Sequence, residues 1–334
     1  MSKVKKYEML AILLFILVAP IVFNGSYALH LINIIGIYAI IIVGLDLLVG
    51  ITGLISLGHA VFFAVAGYLT AYFNITLSLN PVIALLITVF LVSLFALITG
   101  LPLLRLKGYF LALGTLGFGV VVYTVIKGMS SIGGPNGLGG IPNFSLGFFD
   151  FKGDTSYFFL IWITLLFVFL FVNNISQSRV GRALKAIHTE ENTAMAFGIA
   201  ATKYKIIVYV ISAAIAALAG VYYGHYIQFI SPGLSSMATS VDLVVMLFLG
   251  GIGTVFGPIL GTFIYELIPE ISSSLQDYEV LLRGVILLLI LLFFPKGLYP
   301  GIQQLMKKVF KTFSRKKALN TEEQVGEEKL NKSS

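Results

Sequence analysis

Asp46, His59, Asp242 and Glu266 are ionisable side chains that stand inside otherwise apolar stretches. A carboxylate or an imidazole can move a proton, hold a metal or meet the polar group of a solute. The spacing supports neither of the first two. No His, Asp and Glu grouping has metal-ligand spacing, and no Ser, His and Asp order suggests a catalytic triad. The chain has no cysteine, which excludes disulfides and thiolate metal sites. No catalytic residue, metal or bound cofactor is expected. Exposing such groups to lipid is costly, so each either serves function or sits near an interface and caps or snorkels. Asp46 and His59 flank one glycine-rich turn and are expected to hydrogen-bond across it. An interior this poor in charge fits a neutral or zwitterionic solute better than protons or metal ions.

The elements that must position these residues are membrane spans. The 334 residues are 58% hydrophobic and 11% charged, against about 25% charged in ordinary soluble domains. Mean hydropathy is +0.97. A span needs about 20 mainly apolar residues. Candidates are Tyr7–Asn24, Ala28–Gly50, His59–Asn74, Pro81–Leu103, Tyr109–Lys127, Tyr157–Asn174, Lys203–Phe229, Val241–Gly250, Thr254–Ile268 and Val280–Phe294. The first begins after Lys3, Lys5 and Lys6 and has no cleavage site behind it, so it reads as a span, not a signal peptide. The eighth and ninth are short enough to form a re-entrant hairpin. The expected class is therefore an all-α polytopic membrane protein with about ten helices.

Placing the N-terminus in the cytoplasm puts all 22 Lys and Arg on the inner side except Lys127, Lys152 and Arg283. That bias sets the orientation, with both termini cytoplasmic. The net charge of +7 then reflects inner flanks and contact with lipid headgroups, not nucleic-acid binding. The transmembrane region is 1–319, with halves at about 1–127 and 157–300 around an outer loop, 128–156. The tail 320–334 is polar, rich in Glu and Lys, and expected to be disordered. Five spans per half would give the halves opposite orientation, an inverted repeat with the solute path between them. Ile55-Ser56-Leu57-Gly58 after the second span echoes Ile230-Ser231-Pro232-Gly233 after the seventh.

Three glycine-rich segments break the apolar pattern: Gly50–His59, Gly133–Gly140 and Gly250–Gly261. They serve as tight turns and packing seams, or as irregular backbone along a path. On the second reading the path residues are Asp46, Gly53, Ser56, Gly58, His59, Gly134, Asn136, Gly251 and Gly253. Gly133–Gly140 lacks the Lys-Ser/Thr ending of a phosphate loop. The chain carries no nucleotide-binding motif and is not expected to hydrolyse ATP itself.

One internal stretch is charged. Gln177–Lys205 holds Arg179, Arg182, Lys185, Glu190, Glu191, Lys203 and Lys205. A helix from Arg179 to Phe197 would set Val180, Leu184 and Ile187 on one face. Ala194 and Gly198 are small and permit close approach. Such a helix either lies among headgroups or docks a protein. Glu190 and Glu191 interrupt the basic face and tilt the balance toward a protein.

The ordered blocks of this chain resemble the branched-chain amino acid ABC permeases, most closely their LivM-type subunit. Gly181-Arg-Ala-Leu-Lys-Ala-Ile187, Glu191, Ala194, Gly198-Ile199 and Thr202-Lys-Tyr-Lys205 are similar to the family's cytoplasmic coupling segment. Gly44-Leu-Asp-Leu-Leu-Val-Gly50, Thr52–Ala60, Gly67-Tyr68, Arg105–Phe110, Thr115–Gly119, Gly133–Gly137 and Gly250–Pro258 follow in the same order. The resemblance covers about Ala28–Leu298; the family often has Asn where this chain has Asp46. It implies a second, LivH-like permease subunit, two ABC ATPase subunits and an extracytoplasmic solute-binding protein as partners, in a prokaryotic cytoplasmic membrane. ATP is used by the ATPases. It also implies that Arg182, Glu191, Ala194 and Gly198, within a coupling helix at about 178–199, register the ATPase. A permease for urea or short amides, or for sugars or nucleosides, is the alternative within transport. A scaffold or receptor is the alternative outside it.

Overall fold

The computed structural model of the chain describes residues 3–23, 26–147, 149–254, 256–271, 279–294 and 297–303. The expected disordered tail, 320–334, lies outside the described residues. About 80% of the described residues are helical. The helices are α1 (Lys3–Val22), α2 (Ser26–Asp46), α3 (Ala60–Ile75), α4 (Pro81–Leu103), α5 (Tyr109–Gly128) and α6 (Gly153–Gln177). They continue with α7 (Arg179–Thr189), α8 (Glu191–Ala196), α9 (Ala201–Ile227), α10 (Met237–Gly250), α11 (Gly257–Ile271) and α12 (Glu279–Phe293). Among the described residues, five stretches are long and apolar enough to cross a membrane: Tyr27–Ile51, Pro81–Leu103, Tyr109–Gly128, Gly153–Gln177 and Ala201–Ile227. Met9–Val22, Ala60–Ile75 and Met237–Gly250 are shorter apolar helices.

The bundle is built around α2 and α9. The most apolar eighteen residues of Tyr27–Ile51 are 89% buried, against 22% for those of α4 and of α5. Small residues let the central helices touch. A Cβ on Gly220 of α9 would lie 2.1 Å from the Phe63 carbonyl of α3, and one on Gly44 of α2 would lie 2.9 Å from Ile215 of α9. Glycine at these seams replaces side-chain layers with backbone contact. The seams also fix direction. His59 meets Ser212 and Gly67 lies by Gly220, so α3 runs parallel to α9. Asn33 meets Tyr226 and Gly44 meets Ser212, so α2 runs antiparallel to it. These directions agree with spans that alternate in the expected order.

The two ends of the bundle differ. At one end, strands Leu138–Gly139 and Phe229–Ile230 pair antiparallel, with Leu138 opposite Ile230. After Ile230 the chain turns inward through a short 3-10 turn, Pro232–Ser235, whose Pro232, Leu234 and Ser235 are buried. Tyr226 donates to Asp154 Oδ1 at 2.7 Å, and Tyr157 donates to the His225 carbonyl at 3.0 Å. The opposite end gathers Thr52–Ile55, the Leu106–Gly108 loop, the Ile187–Glu191 stretch and Lys205 around a crevice of about 300 Å³. Loops that the charge pattern assigned to one side therefore do share one end.

The charged segment is not one helix. It breaks at Glu190, whose φ of −159° and ψ of 103° are extended. Ala194 is buried on the far side of this break and Glu191 pairs there with Lys205.

Candidate functional site

Asp46 ends α2 at its junction with a π-helical turn, Leu47–Ile51, closed by Thr52 Oγ1 on the Leu47 carbonyl at 3.0 Å. Its side chain is 0% exposed, and its Oδ1 accepts the Gly253 N–H at 2.7 Å. Oδ2 is buried without a hydrogen-bond partner. A Cβ on Gly50 would sit 2.0 Å from Asp46 Oδ1 and 2.5 Å from Gly253 N. The first and third glycine-rich segments thus cross at a carboxylate, and only glycine leaves room for the crossing.

His59 precedes α3 and is also buried. Ser212 Oγ donates to the Gly44 carbonyl at 2.6 Å and lies 2.9 Å from His59 Nε2. Its one proton is committed to Gly44, so His59 must donate from Nε2. The expected hydrogen bond between Asp46 and His59 does not form. Each group pairs instead with a partner more than a hundred residues away, Asp46 with Gly253 and His59 with Ser212. Ser56 is buried with its hydroxyl unpaired. Leu57 N–H donates to Thr115 Oγ1 at 3.0 Å, and a Cβ on Gly58 would lie 2.3 Å from the Thr115 carbonyl. This ties the first segment to α5.

Gly53, Gly251 and Gly253 join Asp46 at this end; Gly134 and Asn136 do not. Those two form a 3-10 turn at the opposite end, with Gly134 buried and Asn136 exposed. Gly137 anchors that turn, since a Cβ there would lie 2.4 Å from the Ile230 carbonyl. Asp242 and Glu266, scattered in sequence, line one cavity of about 250 Å³ with Tyr38, Tyr223, Tyr265 and Thr239. Tyr265 donates its hydroxyl to Asp242. Among the described residues no group of three or more His, Asp or Glu could hold a metal.

In the charged segment, Ser178 caps α7 by accepting the Gly181 N–H at 3.3 Å. Leu184 and Ile187 are buried, as the helical spacing predicts. Ala194 is buried against Ile187 and Ala201. Glu191 Oε1 lies 2.6 Å from Lys205 Nζ, with side chains 26% and 7% exposed. Gly198, at φ +83°, ends α8: its N–H reaches Met195 O and that of Ile199 reaches Ala194 O. Nothing lies within 4 Å of a Cβ built on Gly198. Arg182 and Lys185 are exposed, and Phe197 is 83% exposed. Of the four residues assigned to coupling, Arg182 and Gly198 thus face outward while Glu191 and Ala194 fasten the segment inward. No role for Ser212 or Phe197 was read from the sequence, which showed Lys205 only as one charge of the segment, without its partner. An apolar residue next to Gly198 in a charged segment was the available signal for Phe197; the partners of Ser212 and Lys205 left none.

Long apolar helices, backbone seams and buried polar junctions define a multi-pass helical membrane protein. The chain belongs to the family described as branched-chain amino acid transport system, permease component, whose model matches residues 27–291. It is similar to the high-affinity branched-chain amino acid transport system permease protein LivM of Escherichia coli K12. The two are 30% identical over 295 residues, covering 81% of this chain and 69% of that protein. A probable branched-chain amino acid transport permease protein LivM of Methanocaldococcus jannaschii is 27% identical over 257 residues, 70% of this chain and 74% of that one. The LivH permease protein of E. coli K12 is 32% identical over 142 residues, 42% of this chain and 46% of LivH. No solved structure matches the chain.

Proposed function

We propose that this chain is one permease subunit of an ATP-driven importer for branched-chain or similar neutral amino acids in a prokaryotic cytoplasmic membrane. It crosses about ten times, with both termini inside. A second, LivH-like permease pairs with it, a solute-binding protein delivers the amino acid outside, and two ATPases drive transport from within. The similarity to both LivM and LivH supports a paired permease. The sparse interior charge supports a solute without net charge.

The observation that carries the coupling role is the surface of α7 and α8. The segment is fastened inward by Leu184, Ile187, Ala194 and the Glu191–Lys205 pair. It presents Arg182, Lys185 and the nearly bare Phe197 outward. An aromatic anchor with a polar rim is the usual composition of a protein docking point. The open space at Gly198 admits the partner's surface beside it. The test is co-purification of the ATPase with the permease pair. Phe197→Ala should weaken retention about 30-fold, as for a hot-spot aromatic worth about 2 kcal/mol. Undiminished retention by both Phe197→Ala and Gly198→Trp would sink the docking role.

A further inference from the structure

Four segments far apart in sequence stack at the charged end, the first contact made by the His188 side chain and the next two by backbone on backbone. The first contact joins α7 to the turn after α2. Gly53 has φ +75°, and a Cβ there would lie 2.5 Å from His188 Cδ2. The second is the crossing of Gly50 with Gly253 under the Asp46 carboxylate. The third joins the 250–253 turn to the segment after α12. Gly297 has φ +87°, and a Cβ on it would lie 2.2 Å from Gly251 Cα, 2.6 Å from Gly251 N and 3.0 Å from the Phe248 carbonyl.

The segment containing Gly297 is itself braced. Gly297 N–H donates to the Phe294 carbonyl at 2.8 Å, and Gly301 N–H to the Gly297 carbonyl at 3.2 Å. The rings of Tyr299 and Phe256 lie 5.4 Å apart, a second grip on the loop between α10 and α11. Neither the glycine positions nor the aromatic pair is explained by capping or burial of α12 alone.

We infer that the turn at 297–303 is a positioning element for coupling, the far end of a stack that begins at His188. Close-packed backbone has little compressibility, so a displacement at one layer must move the next or be resisted by it. A push on α7 through His188 reaches the 50–53 turn, passes at Gly50 to Gly253, and meets at Gly251 the seat held by Gly297. The 297–303 turn thereby sets how far the 250–253 turn can yield. Gly53 and Gly297 act through their neighbours and touch no solute in this role. The inference rests on the coupling reading of α7 and α8.

A stack of contacts becomes a coupling route only when its ends are shown to be energetically linked. The experiment uses the whole transporter in proteoliposomes and reads ATP hydrolysed per solute imported. Gly297→Ala should raise that ratio about fivefold or more, the lower end of coupling between sites. Gly53→Ala should raise it similarly. The double variant should be no worse than the worse single one, because both act on one stack. Gly284→Ala on α12, where a Cβ meets nothing within 4 Å, should leave the ratio unchanged. Should Gly297→Ala fail to assemble, Tyr299→Ala decides; it removes the ring contact, adds no atom at the crossing, and should raise the ratio about twofold, the lower end for a variant that modulates coupling. A wild-type ratio in Gly297→Ala, or in Tyr299→Ala where the glycine variant does not assemble, overturns the inference. So do independent, multiplying effects of Gly53→Ala and Gly297→Ala. If Gly198→Trp also couples normally, the α7–α8 reading itself has failed; if only the 297–303 variants couple normally, that reading stands.

Discussion

Glu191→Ala isolates the fastening of the charged segment. Lys205 is 7% exposed in its side chain, and its Nζ meets Glu191 at 2.6 Å. Removing the carboxylate strands a buried ammonium, which costs about 3–5 kcal/mol when one partner of a buried pair is lost. That cost falls on α8, because its six residues are otherwise held by little more than Ala194 against Ile187 and Ala201. At about 1.4 kcal/mol per tenfold, a loss of 3 kcal/mol raises the open population of α8 roughly 100-fold. The reverse deletion is milder. Lys205→Met leaves Glu191, 26% exposed, able to turn to water, and should cost about 1 kcal/mol. Replacing both, as Lys205→Met with Glu191→Leu, should recover most of the loss, since an apolar pair leaves no charge stranded. Amide hydrogen exchange of 191–198 in nanodiscs reads the opening directly. Wild-type exchange in Glu191→Ala, or a double variant opening faster than Glu191→Ala, would refute the reasoning.

Asp46→Asn keeps an acceptor for the Gly253 N–H and should retain uptake. Asp46→Leu strands that donor in the bundle at about 1–3 kcal/mol, which a lowered thermal midpoint and lost uptake would register. Gly198→Trp should abolish uptake while capture of solute by the binding protein stays intact, checked by transport and by binding isotherms. Lys152→Ala should give no measurable change in the thermal midpoint, because its pair with Asp150 is 3.4 Å long and exposed on both sides.

The apolar periodicity made most helices legible to within a few residues, Pro81–Leu103 among them, because lipid leaves backbone few alternatives to a helix. The face of α7 was legible for the same reason, Leu184 and Ile187 at helical spacing. The break at Glu190 was not. Helical periodicity continues through Glu191 and Ala194, and it carries no information about a tertiary partner such as Lys205 for Glu191. Glycine-rich segments announced irregular backbone without saying which would meet. Gly50 finds Gly253 and Gly297 finds Gly251 through the packing of α2, α10 and the segment after α12, whereas Gly134 closes a turn at the other end. Asp46 and His59 were visible as buried polar residues, but their neighbourhood in sequence suggested each other when tertiary packing supplied Gly253 and Ser212.

The most direct test of the account is uptake of labelled leucine into proteoliposomes holding this chain, its permease partner and the ATPases, with binding protein outside and ATP inside. The account predicts accumulation that needs every component and that Gly198→Trp abolishes. Accumulation that persists without ATPase or ATP, or that is undiminished in Gly198→Trp, would contradict it.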